Sequence, residues 1–249
     1  CAVAAVPAKA EEFTFLSSGT WSLMGISSKK MLEGDKIIRD KISNEGTADG
    51  GYRPTVNIIG LWLNQELRRN FAAQGKSYSF AEMTELAAKE KPLQSFICPD
   101  DFMQPGDYTE KIREYCRQTG QPVPQTDGAL VRCVLESLAL KYRQVYESLR
   151  PYITWEEKLY MVGGGTQNEL LDQFTANALG IPVITGASEA TAVGNVMSQL
   201  KALGAYQTAE EKCEILSASF GSKEYLPKDM EQWQEAYEKY KKITKRKDN

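Results

Sequence analysis

The sequence predicts an α/β fold in which parallel strands are covered by helices, and one stretch, Leu159 to Leu203, carries the prediction. The apolar run Leu159 to Val162 reads as a short buried strand. It stops at Gly163-Gly164-Gly165, after which Leu170, Leu171, Phe174 and Leu179 recur at the spacing of one helical face. Gly180 reads as the end of that helix, and Pro182 blocks its continuation. Ile181 to Thr185 reads as a second strand and Glu189 to Leu203 as a second helix. Strand, glycine loop, helix, strand, helix is a βαβα unit, which implies parallel strands under helices.

The triple glycine needs its own explanation. Without Cβ atoms a ligand or another backbone can come close, and positive φ costs little. Ahead of a helix N-terminus such a loop suits a nucleotide or an anion. The loop is neither G-x-G-x-x-G nor G-x-x-x-x-G-K-[ST], so alone it reads equally as a ligand loop and as a plain turn.

From the start of the chain, Cys1 to Ala8 reads as the end of a small-residue helix. Phe13 to Leu16 and Trp21 to Ile26 read as two strands of a hairpin joined by Ser17-Ser18-Gly19-Thr20. That turn gathers hydroxyls and backbone N–H groups that can hold a phosphate, or it is a Ser/Gly turn and nothing more. Lys29 to Arg53 is polar and glycine-rich, with Asn44-Glu45-Gly46 and Asp49-Gly50-Gly51 as turn signals for further strands or a loop arm. Asn57 to Phe71 reads as a helix, with Ile58, Leu61, Trp62 and Leu67 on its apolar side. Ser79 reads as the cap of a short helix, Phe80 to Lys89. After an irregular link with Pro99 and Pro105, Thr109 to Thr119 reads as a helix closed by Gly120.

Asp127 to Leu149 has apolar residues every three or four positions and predicts a long helix ended by Pro151. Ala209 to Ser217 reads as helix, Phe220 to Pro227 as loop, and Asp229 to Thr244 as a terminal helix. The last of these docks through Met230, Trp233, Tyr237 and Tyr240. The closing basic residues, Lys245, Arg246 and Lys247, fall where a helix dipole favours cations, before a frayed end.

Composition excludes several function classes. A chain of 249 residues can bury one sizeable core, and no linker or repeat divides it. Formal net charge of −3 argues against a nucleic-acid surface. No transmembrane run or signal peptide is visible, so no membrane is expected as a partner. Five scattered cysteines make neither a disulfide framework nor a zinc pattern, and they predict free thiols in a cytoplasmic protein. The absence of histidine removes His-based triads, His-ligated metals and a histidine base from this chain. The sequence also opens at Cys1 in mid-pattern, as a fragment would.

Three separated blocks occur together: FLSSGTWSLMG (Phe15 to Gly25), NEGTADGGYRPTVNIIGLWLNQ (Asn44 to Gln65), and VGGGTQNELLDQ followed by SEATAVGN (Val162 to Asn195). Together they resemble the C-terminal half of carbohydrate kinases of the FGGY family, over residues 1 to about Leu216. The VGGG-x-x-N and EA-[TS]-x-x-GN signatures mark the family at large, and the first two blocks narrow the resemblance to one branch of ketose kinases.

The resemblance implies an actin-like ATPase (ribonuclease H-like) fold. This chain, 1–249, would be the nucleotide-binding domain, with 228–249 its terminal helix and tail. The sugar-binding domain that precedes it in the family is absent. By resemblance, Thr20 would lie at the ATP phosphates and Gln65 would contact the nucleotide. Gly164 would pack under the adenosine, Gly163 and Gly165 would shape the loop, and Asn168 would reach the adenine. Asn57 would touch the sugar.

The family's catalytic base, the aspartate of a His-Asp-Thr segment, would lie upstream of Cys1. Asp35, Asp40 and Asp49 do not match it, so no catalytic residue is expected here, and the chain alone should be inactive. The implied activity is transfer of the ATP γ-phosphoryl to a ketose hydroxyl. Mg2+ would be held mainly by the phosphates rather than by protein ligands. The alternatives are a kinase of another ketose or polyol and a non-catalytic actin-like nucleotide-binding domain. A dinucleotide-binding domain is disfavoured, because Ile184-Thr185-Gly186 stands where an acidic residue is expected.

Overall fold

The computed structural model describes residues 1–245. A single 3-10 turn, Ala2–Ala5, is followed by β1 (Phe13–Ser18), β2 (Trp21–Ser27), α1 (Asp35–Arg39), β3 (Ser43–Gly46) and β4 (Tyr52–Ile59). Then come α2 (Trp62–Ala73), α3 (Phe80–Ala88), α4 (Tyr108–Thr119) and α5 (Asp127–Leu149). The chain continues through β5 (Leu159–Val162), α6 (Glu169–Leu179), β6 (Val183–Thr185), α7 (Ala190–Ala202), α8 (Ala209–Phe220), β7 (Glu224–Tyr225) and α9 (Met230–Lys245).

The strands form one mixed sheet in the order β3-β4-β2-β1-β5-β6-β7. β1, β5 and β6 run parallel, and β2, β4 and the β7 edge pair antiparallel with their neighbours. Register sets the core. Val56, Met24, Leu16 and Met161 stand side by side across four strands. All four are buried in one cluster with residues of α2, α5 and α6. Successive strand side chains alternate faces, so Phe13, Phe15 and Val162 point the other way and pack with Ala5, Val6, Ala8 and Ala190.

Local signals place several helices as expected. The long helix spans Asp127–Leu149 with Thr126 capping Ala129 N. Ser79 and Glu82 form a reciprocal capping box at α3. Gly120 and Gly180 close α4 and α6 in the left-handed conformation. The parallel pair β5 and β6 with α6 between them is the predicted βαβ unit.

Other expectations need correction. The helix read from Asn57 begins only at Trp62, because Thr55 to Ile59 pair residue by residue with β2. The chain turns at Gly60, whose Cβ would lie 2.4 Å from Ser22 Oγ and 2.6 Å from the Gly19 carbonyl oxygen. Cys1 to Ala8 is one 3-10 turn followed by extended chain, since Val6 is already extended ahead of Pro7. α8 runs on through Phe220, and the loop after it contains β7. Trp233, Tyr237 and Tyr240 dock α9 as expected, but Met230, at its first turn, is 54% exposed. The basic residues Arg246 and Lys247 lie outside the described residues. Among the described residues no helix is long and apolar enough to cross a membrane.

Candidate functional site

Parallel pairing puts the C-terminal ends of β1 and β5 side by side, with Ser17 opposite Val162. The segments that follow, Ser18-Gly19-Thr20 and Gly163-Gly164-Gly165, therefore meet at one edge of the sheet. The ends of parallel strands are where open α/β sheets bind ligands.

The three glycines do different jobs. Gly163 has φ +94°, and a Cβ on it would lie 2.6 Å from the Ser18 carbonyl oxygen. A Cβ on Gly165 would lie 2.0 Å from Ser18 Oγ and 2.6 Å from Ser18 Cβ. Both are glycine because the loop lies directly on the hairpin. A Cβ on Gly164 meets nothing within 4 Å among the described residues, and its φ lies outside the left-handed region. Neither contact nor conformation explains its lack of a side chain.

The hairpin turn is latched to the start of α2. Leu61 N donates to the Gly19 carbonyl at 2.8 Å, and Gly60 N and Trp62 N donate to the Thr20 carbonyl at 3.1 Å. These bonds satisfy donors that a helix N-terminus leaves unpaired. One turn into α2, Gln65 Nε2 donates to Thr20 Oγ1 at 2.9 Å. Thr20 is exposed, and accepting this bond leaves its hydroxyl hydrogen available to an outside acceptor. Beneath the turn, the Ser22 and Tyr142 hydroxyls bond at 2.8 Å, and burial raises the pKa of Tyr142.

Thr20, Gln65 and Gly163 to Gly165 are thus brought together. Asn168 stands at the far end of the loop, where its Oδ1 caps α6 by accepting from Leu171 N at 3.0 Å. Its Nδ2 donates to Thr84 Oγ1 at 3.2 Å, so one side-chain N–H remains for any ligand. Asn57 is exposed beside Leu23 on the sheet face opposite α5, about 10 Å along the strand from the turn. Sequence reasoning missed Thr84 and Gly60. Gly60 sits in a quoted motif, but nothing local marks Thr84, which meets Asn168 across 84 positions. A cavity of about 440 Å³ lined by Asp49, Lys201, Tyr206 and Lys212 contains none of the predicted site residues.

Behind the loop, Asp172 is fully buried in the first turn of α6. Neither its carboxyl oxygens nor the Tyr225 hydroxyl has a hydrogen-bond partner among the described residues. Burial pushes its pKa up to about 8, the Glu169 carboxylate adds to the rise, and Tyr225 and Lys223 oppose it. The folded state therefore holds this proton more tightly than the unfolded chain does, and the stability it contributes is lost as pH rises from about 4 to about 8. Asp172→Asn is expected to raise stability at pH 8 by about 1–3 kcal/mol and to change it little near pH 4. Urea unfolding at the two pH values measures this, and an equal effect at both would rule out the ionisation account.

The model for the FGGY family of carbohydrate kinases, C-terminal domain, matches residues 14–203. The chain is 46% identical over 243 residues to a rhamnulokinase of Bacteroides thetaiotaomicron, covering 96% of this chain and 49% of that one. It is 39% identical over 230 residues to a rhamnulokinase of Pectobacterium carotovorum, covering 91% and 46%. It therefore spans about half the length of the curated relatives it matches. Among solved structures, xylulose kinase from Rhodospirillum rubrum superposes with TM-score 0.75 at 18% identity over 98% of this chain and 49% of that one. Plasmodium falciparum glycerol kinase with ADP gives 0.64 at 13% identity, over 94% and 46%. These neighbours share the actin-like α/β fold.

Proposed function

The chain belongs to the FGGY family of carbohydrate kinases, and we propose that it is the nucleotide-binding half of a rhamnulokinase. The whole protein would transfer the γ-phosphoryl of Mg-ATP to the 1-hydroxyl of L-rhamnulose. The observation that carries the nucleotide assignment is the contrast within the glycine loop. Gly163 and Gly165 are held on Ser18, while Gly164 faces open space at the strand ends that also carry Thr20. A flat ligand lying on Gly164 explains what contacts within the chain do not.

In this reading adenosine rests on Gly164, and Asn168 offers its remaining N–H to the base. Thr20, steadied by Gln65, donates its hydroxyl hydrogen to a phosphate oxygen. Magnesium is held through the phosphates. Phosphoryl transfer depends mainly on positioning and on stabilising charge, and those are the tasks this half performs. The sugar lies toward Asn57 on the exposed sheet face. The aspartate that accepts the hydroxyl proton comes from residues preceding Cys1 in the longer protein.

Relatives named rhamnulokinase support the choice of sugar. Two measurements test the reading. The 249-residue chain is expected to bind Mg-ATP weakly and to release no ADP when sugar is added; sugar-dependent ADP release from it would overturn the division of labour. In the longer protein, L-rhamnulose is expected to give the highest kcat/KM in a panel of ketoses and polyols. A different preferred sugar would reassign the substrate and leave the nucleotide site standing.

A further inference from the structure

A second group of side chains is linked to the glycine loop through the bond between Thr84 and Asn168. Arg68 lies three residues beyond Gln65 on α2, and residues at that spacing are neighbours on one helix face. Arg68 Nε donates to the Tyr78 carbonyl at 2.8 Å, which ties α2 to the start of α3. Its guanidinium carbon lies 4.7 Å from the ring centroid of Phe80, the first residue of α3. Phe80 is 43% exposed. The cap of α3 is made by Ser79 and Glu82 and does not need it. One turn further along α3, Thr84 Oγ1 donates to the Phe80 carbonyl at 2.9 Å and accepts from Asn168 at 3.2 Å.

These contacts close a circuit through the elements that carry Thr20, Gln65, Asn168 and the glycine loop. Thr20 is bonded to Gln65, α2 carries Gln65 and Arg68, and Arg68 lies on Phe80. α3 carries Phe80 and Thr84, Thr84 is bonded to Asn168, and the glycine loop returns to Ser18 beside Thr20. Arg68 is exposed, and its two terminal amino groups have no hydrogen-bond or ion-pair partner among the described residues. Its guanidinium carbon lies over the Phe80 ring on one side. A guanidinium plane stacks on a π-system and presents its donors in the same plane.

We propose that Arg68, backed by Phe80, is the wall of the nucleotide site across from Gly164, and that the base of an adenine nucleotide stacks on the open face of its guanidinium. The base is then layered on Arg68, and Arg68 on Phe80. The inference rests on the reading of Gly164 as a nucleotide platform. It adds the residues that hold the base from the other side, and it makes base recognition a matter of stacking and of planar donors.

The test is equilibrium binding of Mg-ATP and of magnesium tripolyphosphate to the wild-type chain and to Arg68→Lys, Arg68→Ala and Phe80→Ala. Thermal melts confirm that each variant is folded. Arg68→Lys keeps the charge and loses the plane. It and Arg68→Ala are expected to weaken ATP about 5- to 10-fold and to leave tripolyphosphate within about 2-fold. Phe80→Ala, which removes only the backing, is expected to weaken ATP about 3-fold. ATP binding unchanged in all three variants would overturn the wall. Equal losses for ATP and tripolyphosphate in Arg68→Ala, with Arg68→Lys restoring both, would also overturn it by making Arg68 a phosphate contact. Wild-type chain that binds tripolyphosphate as tightly as ATP would overturn the adenosine platform itself, which separates failure of that reading from failure of the wall.

Discussion

Gly164→Val is expected to abolish ATP binding, a loss of more than about 100-fold or about 3 kcal/mol, while the melting temperature stays where it was. The first half follows from occupancy. An isopropyl group would stand where the nucleotide is proposed to lie, with no second position to move to. The second half follows from the geometry of the position. A Cβ there meets nothing within 4 Å, and the backbone is not left-handed, so neither overpacking nor strain arises. Binding is measured by calorimetry with Mg-ATP and stability by a thermal melt of the same sample. Retained ATP affinity would remove Gly164 from the site. A collapsed melt would show that the position is structural after all.

One residue earlier, the same kind of change has the opposite signature. Gly163→Ala is expected to cost about 2–5 kcal/mol of stability, the sum of about 1–2 for a side chain at positive φ and about 1–3 for overpacking. The obstructing atom is the Ser18 carbonyl oxygen at 2.6 Å. That oxygen is backbone of the last residue of β1, which pairs with Ser22 of β2, so no side-chain rotation relieves the clash. Urea unfolding measures the loss, and a cost under about 0.5 kcal/mol would mean that the loop sits away from the hairpin. Gly163→Ala therefore loses nucleotide affinity only along with the fold, whereas Gly164→Val loses it alone. At Gly165 the nearest atom is Ser18 Oγ, which can rotate, but Ser18 Cβ at 2.6 Å cannot. An intermediate cost is expected there.

The differing roles of these adjacent glycines measure how much of the site was legible beforehand. That the loop matters could be read from three glycines between an apolar run and a helical pattern. Which glycine faces a ligand could not, because the answer depends on Ser18, about 145 positions away. Asn168 shows the same limit. Its place ahead of α6 was visible, but its bond to Thr84 was not, and that bond leaves one side-chain N–H for a ligand. The misread helix at Asn57 has a related cause. Ile58, Leu61, Trp62 and Leu67 fit a helical spacing, yet Thr55 to Ile59 have β2 to pair with, and ladder bonds override a weak local periodicity.

By itself the sequence determined the features that are closed within a few residues. These are the span of α5, the caps at Ser79, Gly120 and Gly180, the strand–helix–strand unit after Leu159, and the motif blocks that mark the family. Each rests on backbone hydrogen bonds, φ preferences or side-chain spacing along one element. Only the tertiary structure decided the rest: that β4 runs on to Ile59, that Asp172 is buried without a hydrogen-bond partner among the described residues, and that Thr20, Gln65 and the glycine loop share one edge of the sheet. Only there does Gly164, among its neighbours, face empty space. The physical reason is that these outcomes are set by close approach between distant segments, and a chain carries no local record of what will pack against it.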